Sequence, residues 1–408
     1  FLEFFYMRIF SFEKKDFKPF KIILFLLINL LTLFLKLKKE RYIFLREDRI
    51  GHQASNTDVE LSKAIKLKKE NISSIFVFFE MEENIANRYL RSQLIKEINK
   101  KFKIIILYKT FFYYRFIYFL IAKTQQYGLF NNTIYFANTD VGERIKKQIL
   151  YKSNSFKKLL ENLGIKSNNY VCIYSRDQNY LKNKFPSNDW EYHKYRNSNI
   201  DNLKLLSEYL VANYGLSIVR VGSNPAKRLT WDKDTNPKII DYSFSEHLSE
   251  KNDIDLISGC KLYINNGGGP EGVAVASRRN IIRINQTPIL FELGYQHGIY
   301  LPKLIRNKKN NKIIGIRETI NLGIFNSFNY YDYENLGLFA EENKSIDILN
   351  AFKDFIKYKN QNFNDTEISI INEYKKLRKE NEQKGYILSG YENFIAPSFL
   401  LKYPDILK

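Results

Sequence analysis

Two stretches of this chain combine residue types that suit a phosphorylated substrate. The first, residues 264–272, reads Ile-Asn-Asn-Gly-Gly-Gly-Pro-Glu-Gly. An apolar strand pattern runs into Asn266, Gly267, Gly268 and Gly269, and a short helical stretch follows at 273–277. Glycine lets a backbone come close to a ligand, and Pro270 suits a first helical turn. Free N–H groups with a helix dipole behind them favour an anion such as a diphosphate. A tight turn with no ligand uses the same residues. No Gly-Lys-Ser/Thr follows, so this is not a Walker loop, and the GxGxxG fingerprint is absent. Glu271 is stable at a helix start without any ligand. It could also hold a ribose or sugar hydroxyl, and its role stays open.

The second stretch carries arginines. Arg176 and Asp177 follow the apolar run 170–174 directly; Arg220 lies in the run 216–221, with Gly222 just past it. An arginine at a strand end can grip a phosphate with two parallel hydrogen bonds. A surface salt bridge is the plainer alternative for each. Arg196 and Asn197, in Tyr195-Arg196-Asn197, are either a loop brace or a substrate contact. Arg49-Ile50-Gly51-His52 follows the first strand pattern. Histidine titrates near neutrality, so His52 is a candidate base, with a hydrogen-bonded structural histidine as the alternative. Arg49 and Gly51 fall in the same loop, which faces the cleft in the expected architecture. His193, His247 and His297 show no ligand-like spacing, and neither HExxH nor a CxxC pair occurs. No metal and no cofactor are expected. No serine nucleophile elbow is present. Cys172 and Cys260 sit in apolar segments and read as buried small hydrophobes of a reducing compartment.

These residues need a scaffold, and the pattern supplies one. Strand patterns at 42–46, 74–79 and 103–107 alternate with helical stretches from Asn56 to about 69 and around 84–100. Residues 111–130 are aromatic and ambiguous. A polar segment at 146–169 precedes a second series of strands at 170–174, 216–221, 238–242, 260–264 and 280–284. Ser198 or Asn199 caps a helix with Leu203, Leu206 and Leu210 on one face, and Gly215 ends it. Another helix covers about 251–258. After about 345 the chain reads as mostly helical, ending with 386–399. Buried strands alternating with helices imply parallel sheets covered on both faces. In such sheets ligands bind beyond the carboxyl ends of the strands.

The expected class is α/β, with two doubly wound, Rossmann-like halves facing across a cleft. The expected divisions are a hydrophobic and basic membrane-associating segment at 1–40, a first Rossmann-like domain at 41–160, a second at 161–345, and C-terminal helices packing back on the core at 346–408. The segment 22–35 (IILFLLINLLTLFL) is shorter than the ~20 residues a spanning helix needs. Lysines and Arg41 flank it, which suits a hydrophobic helix lying on an anionic membrane surface. A buried N-terminal helix is the alternative. No cleavage signal follows it. The chain begins with Phe1, not Met, which leaves room for a preceding segment.

The net charge of +20 fits an anionic partner or a lysine-rich background. The charge is spread along the chain, and no nucleic-acid signature accompanies it, so nucleic acid is not an expected partner. With 32 Phe and 29 Tyr the chain carries far more burial than disorder allows, and two Cys exclude a disulfide scaffold.

The runs YVCIYSRD at 170–177, YRNSNI at 195–200 and GLSIVRVG at 215–222 resemble a family of bacterial glycosyltransferases from surface-polysaccharide gene clusters. Arg49-Ile50-Gly51-His52 looks like that family's early motif. The resemblance covers about residues 40–300. It implies a GT-B architecture, with the nucleotide-sugar donor on the second domain and the acceptor on the first. Arg176 is similar in placement to the diphosphate-gripping arginine of fucosyltransferase-like enzymes. Tyr174 stands where the family commonly has His, which puts that position's role in doubt. Arg279 stands where many retaining enzymes have a second Glu, so an inverting, metal-independent transfer is the expectation.

The resemblance therefore implies transfer of a sugar to a growing, lipid-linked surface polysaccharide or lipopolysaccharide, in the cytoplasm at the inner face of the membrane. His52 would be the base. Arg176, Arg220 and the Gly267–Gly269 N–H groups would hold the diphosphate. A sugar-nucleotide epimerase, a pyruvyl transferase, or a non-catalytic basic protein of membrane surfaces are the competing readings.

Overall fold

The computed structural model describes residues 37–80, 85–108, 133–137, 142–166, 169–184, 186–187, 189–232, 236–289, 298–383 and 393–408, with Leu30, Phe34 and Leu35. The hydrophobic segment 22–35 thus lies largely outside the described residues, as do residues 111–130 and His297. Among the described residues no helix is long and apolar enough to cross a membrane.

The chain forms two compact units. The first comprises residues up to Arg46, Ala64–Glu83 and Ile98–Ala137. Its sheet has the strands β1 (Glu40–Phe44), β2 (Ser73–Glu80), β3 (Lys103–Tyr108) and β4 (Ile134–Phe136) in the order β3-β2-β1-β4. All pairings are parallel. Phe44, Val77, Phe79 and Phe136 form an aromatic-rich cluster on it. Such apolar runs read as strands because both faces of a parallel sheet are buried.

The second unit comprises Glu47–Lys63, Asn84–Glu97 and Asn138–Lys408. The loop after β1, with Arg49, Gly51 and His52, therefore clusters with this unit. Its sheet contains β5 (Tyr170–Tyr174), β6 (Ser217–Arg220), β7 (Ile239–Asp241), β8 (Leu262–Asn265), β9 (Asn280–Gln286), β10 (Gly298–Pro302) and, after a separate antiparallel pair of β11 (Leu304–Asn307) and β12 (Leu338–Glu341), β13 (Phe394–Ile395). The order is β13-β10-β9-β8-β5-β6-β7, all parallel. The chain enters at β5, winds outward through β6 and β7, then crosses back to β8 and winds the other way. Strand order reverses between β5 and β8, and the crevice beyond their carboxyl ends is where open α/β sheets bind ligands.

The helices include α1 (Thr57–Lys68), α2 (Arg88–Asn99), α3 (Lys204–Tyr214), α4 (Glu250–Gly259), α5 (Glu271–Ala276), α6 (Ser345–Lys359) and α7 (Asp365–Gln383), and further helices of six or seven residues accompany them. Asn56 does not start α1: a π-helical turn at His52–Asn56 precedes it, entered from Gly51. Asn199 caps a 3-10 turn, Ile200–Leu203, by accepting from the Asp201 N–H. That turn leads into α3, which Gly215 ends with a left-handed φ of 63°. Leu203, Leu206 and Leu210 are fully buried against the sheet, as their spacing requires. The helical reading of 386–399 fails at Phe394–Ile395, which add an edge strand beside β10. Two residues are too few to show a strand period in sequence.

Candidate functional site

Arg176 stands at the reversal of strand order. Its backbone N–H donates to the Asn266 side-chain oxygen at 2.7 Å, tying the second residue past β5 to the first past β8. The Asn266 amide in turn donates to the Arg196 carbonyl at 2.9 Å. Arg176 is 7% exposed. Its partners are neutral: the His193 carbonyl at 3.3 Å and the Asn197 side-chain oxygen at 3.2 Å. No carboxylate among the described residues pairs with it. Burial, then the neighbouring Arg196, lowers its pKa to about 10, so it stays charged at neutral pH. A buried guanidinium without a counter-ion is costly. An anion bound in the crevice removes that cost.

The surrounding segment is cationic and aromatic. It is a 3-10 turn, Glu191–Arg196, with His193 and Tyr195 buried. The His193 ring packs on Tyr192 at 3.9 Å between centroids and lies nearly parallel to the Trp190 ring, 6.2 Å away. Burial, then Arg196, Arg176 and Arg49, pulls the His193 pKa down to about 3. His193 is therefore neutral at physiological pH. Its Nδ1 and the Tyr195 hydroxyl are buried with no hydrogen-bond partner among the described residues.

Each glycine of the 267–269 turn has a local reason. Gly267 takes φ of 76°, and its N–H donates to the Asn265 side chain at 2.7 Å. A Cβ on Gly268 would sit 2.8 Å from the Tyr174 ring, and one on Gly269 would sit 2.5 Å from Ile50. The close approach of phosphate is thus not needed to explain three glycines. The α5 helix is only six residues long, and its first N–H groups close tight turns: Glu271 onto Gly268, Gly272 onto Gly269, Val273 onto Pro270. The helix start therefore has few N–H groups left to offer an anion.

The other sequence candidates are placed as follows. Arg220 is buried and pairs with Asp241 at 3.3 Å, also donating to the Lys227 carbonyl at 2.7 Å. Its charge is matched within the fold. Asp177 accepts from the N–H groups of Asn179 and Ala226, bracing two loops. Gly222 has φ of 123°, and a Cβ there would meet the other edge of Tyr174 at 2.9 Å. Glu271 is 1% exposed and ion-paired with Arg283 at 2.5 Å. Its carboxylate serves the core between α5 and β9. Gly51 packs against the Gly269 backbone, where a Cβ would come within 3.1 Å. His52 follows in the π turn, with its Nδ1 3.4 Å from the Asn56 amide. Arg49 is half exposed and 3.9 Å from Asp48. Among the described residues no group of three or more His, Cys, Asp or Glu is placed to hold a metal ion.

Solved glycosyltransferases are similar to this chain in backbone course. A glycosyl transferase of family 9 from Veillonella parvula aligns with a TM-score of 0.40 at 11% identity, over 78% of this chain and 97% of its own. The E. coli ADP-heptose lipopolysaccharide heptosyltransferase II aligns with a TM-score of 0.34 at 13% identity, over 64% and 90%. An E. coli heptosyltransferase solved with ADP aligns with a TM-score of 0.29 at 12% identity, over 60% and 86%. No family model and no curated protein matches the sequence.

Sequence reasoning missed Lys303 and Arg283. Lys303 is 3% exposed and donates to the Asn197 carbonyl at 2.6 Å. It directly follows the apolar run GIYLP of β10, and a charge ending an apolar run was the available signal. Arg283 carries the same signal inside β9.

Proposed function

We propose that this chain is a glycosyltransferase that takes a sugar from a nucleotide-sugar donor and passes it to a surface glycan, in an inverting reaction. The observation that supports the reading most is the buried Arg176 guanidinium, without a carboxylate partner, at the reversal of strand order between β5 and β8. That position calls for an anion, and a nucleoside diphosphate supplies one. Arg196 is the second cation of the crevice. Beside them the half-buried Tyr192 ring, backed by the buried rings of Trp190 and His193, is the aromatic surface available to a base or sugar ring.

In this reading His52 takes the proton from an acceptor hydroxyl as the oxygen attacks the anomeric carbon. The bond from that carbon to the phosphate oxygen breaks, and its electron pair leaves with the diphosphate. Arg176 stabilises the charge that develops there, where preorganised donors contribute most. The lipid-linked acceptor and the inner membrane face belong to the same proposal, supported by the basic flanks of segment 22–35.

Incubation with a panel of nucleotide sugars and a bacterial glycolipid extract tests the reading. Acceptor-dependent release of a nucleoside diphosphate, lost in Arg176→Ala, is expected. Release of none, from any donor, would overturn it.

A further inference from the structure

The pentapeptide Lys-Leu-Lys-Lys-Glu occurs twice, at 36–40 and at 66–70. Each copy leads into a strand of the first unit. β1 begins at Glu40; α1 ends at Lys68, and β2 begins at Ser73. A third lysine-rich stretch, Lys100-Lys101-Phe102-Lys103, joins α2 to β3. In a parallel sheet each crossover helix returns the chain to the amino ends of the strands. The three stretches therefore meet along one edge of the sheet. Two bonds hold them there. The Ser73 N–H donates to the Lys39 carbonyl at 2.8 Å, and the Lys68 ammonium donates to the Lys101 carbonyl at 3.1 Å.

A cation in a last helical turn balances the helix dipole. The second unit shows that ordinary use. At its strand starts Lys238 donates to the Gly215 carbonyl at 3.3 Å and Lys261 to the Asn169 side chain at 2.5 Å, one lysine at each start. In the first unit the lysines continue past the helix ends. Lys38, Lys39, Lys68, Lys69, Lys101 and Lys103 are all exposed, and the acidic residues of the same three stretches are Glu40 and Glu70. Large apolar side chains stand among them. Leu37 is 76% exposed and Phe34 50%, with the Lys38 ammonium 4.4 Å from the Phe34 ring centroid. Exposed apolar groups set among cations match a bilayer surface, which takes the first at its acyl boundary and the second at anionic headgroups. A nucleic acid backbone matches the charge alone.

We propose that the amino edge of the first unit's sheet is a docking face for an anionic lipid bilayer. The lysines of the three stretches lie on phosphate headgroups, and Leu37 and Phe34 enter the acyl boundary. The proposal rests on the membrane placement given above and not on the transfer reaction. It extends the contact from the flanks of segment 22–35 to a surface that the ends of α1 and α2 and the starts of β1, β2 and β3 build together. Each lysine held near an anionic surface strengthens binding about fivefold, and salt screens that gain.

Flotation of the full chain with vesicles of phosphatidylcholine, alone or mixed with phosphatidylglycerol, tests the face. Wild type should float with the mixed vesicles only, and added salt should weaken the binding. Lys69→Gln/Lys101→Gln/Lys103→Gln leaves segment 22–35 and its flanks intact and should weaken binding at least about tenfold. Lys375→Gln/Lys376→Gln/Lys379→Gln removes the same charge from exposed positions of α7 in the second unit and should bind like wild type. Leu37→Gln should weaken binding in high salt as well, because salt does not screen an inserted apolar side chain. Every substituted residue is exposed, and circular dichroism checks that each variant folds.

Unchanged binding in the first triple variant would overturn the proposal. Equal loss in both triple variants would reduce the effect to net charge and overturn it too. So would a wild type that floats with neither vesicle, or that binds duplex DNA and no vesicle. Nucleoside diphosphate binding should be the same in the first triple variant as in wild type. A wild type that floats but binds no nucleotide would overturn the donor reading and leave this face standing.

Discussion

The backbone N–H of Arg176 donates to the Asn266 side chain at 2.7 Å, and this bond ties the ends of β5 and β8 together where strand order reverses. Asn266 is 4% exposed and satisfied on both sides, as acceptor from Arg176 and donor to Arg196. Asn266→Asp keeps the acceptor but loses the donor and brings a negative charge to the guanidinium. Affinity for a nucleoside diphosphate is expected to fall at least about tenfold, as one unfavourable buried charge implies. Calorimetry of the variant, with circular dichroism to confirm the fold, checks this.

Arg176 and Arg220 lie after and within adjacent strands, yet their variants are expected to differ. Arg220→Ala leaves Asp241 buried without its partner and should cost about 3–5 kcal/mol of stability. Arg176→Ala loses two hydrogen bonds to neutral groups and should cost about 1–2 kcal/mol. Nucleotide binding should vanish in the Arg176 variant while its urea midpoint moves little. Equal destabilisation of the two would contradict the assignment of roles.

Tyr174 is wedged between Gly222 and Gly268, whose added Cβ atoms would lie 2.9 and 2.8 Å from its ring. Gly268→Ala should therefore destabilise by about 1–3 kcal/mol through overpacking. Combined with Tyr174→Ala the cost should be smaller than the sum, since the clash is gone. A double-mutant cycle in urea shows the coupling, and strict additivity would refute the wedge.

The pH dependence of binding should follow Lys303. Its folded-state pKa of about 8 lies below the ordinary 10.5, so the unfolded chain binds more protons between those values. The burial cost is fully present below pH 8 and is relieved as pH rises toward 10.5, so stability gains there. Anion affinity moves the opposite way, because the ammonium is lost as pH rises through about 8. Relative to Lys303→Arg, wild type should lose nucleoside diphosphate affinity between pH 7.5 and 9.5, a window spanning the folded pKa. Parallel profiles for the two proteins would refute this.

Much of the frame was legible because parallel strands are apolar along their whole length. Tyr170–Tyr174 matches its sequence pattern residue for residue, and Leu203, Leu206 and Leu210 fall on the buried face. Arg176 was legible as a charge just past an apolar run. The partners of the charges were not. Arg220 meets Asp241 and Glu271 meets Arg283 through tertiary packing, which no spacing along the chain encodes. For the same reason the three glycines read as a phosphate loop, although Tyr174 and Ile50 account for two of them. Lys303 carried a signal, a charge ending the apolar run of β10, but its partner Asn197 lies 106 residues away and no spacing along the chain encodes that contact.

The central claim is that the crevice beyond β5 and β8 binds a nucleoside diphosphate through Arg176. Calorimetric titration of the protein with ADP, UDP, GDP and dTDP tests it most directly. Saturable binding of at least one, abolished in Arg176→Ala and retained in the surface variant Lys353→Ala, is the expected result. Absence of binding by all four, or binding unchanged in Arg176→Ala, would contradict it.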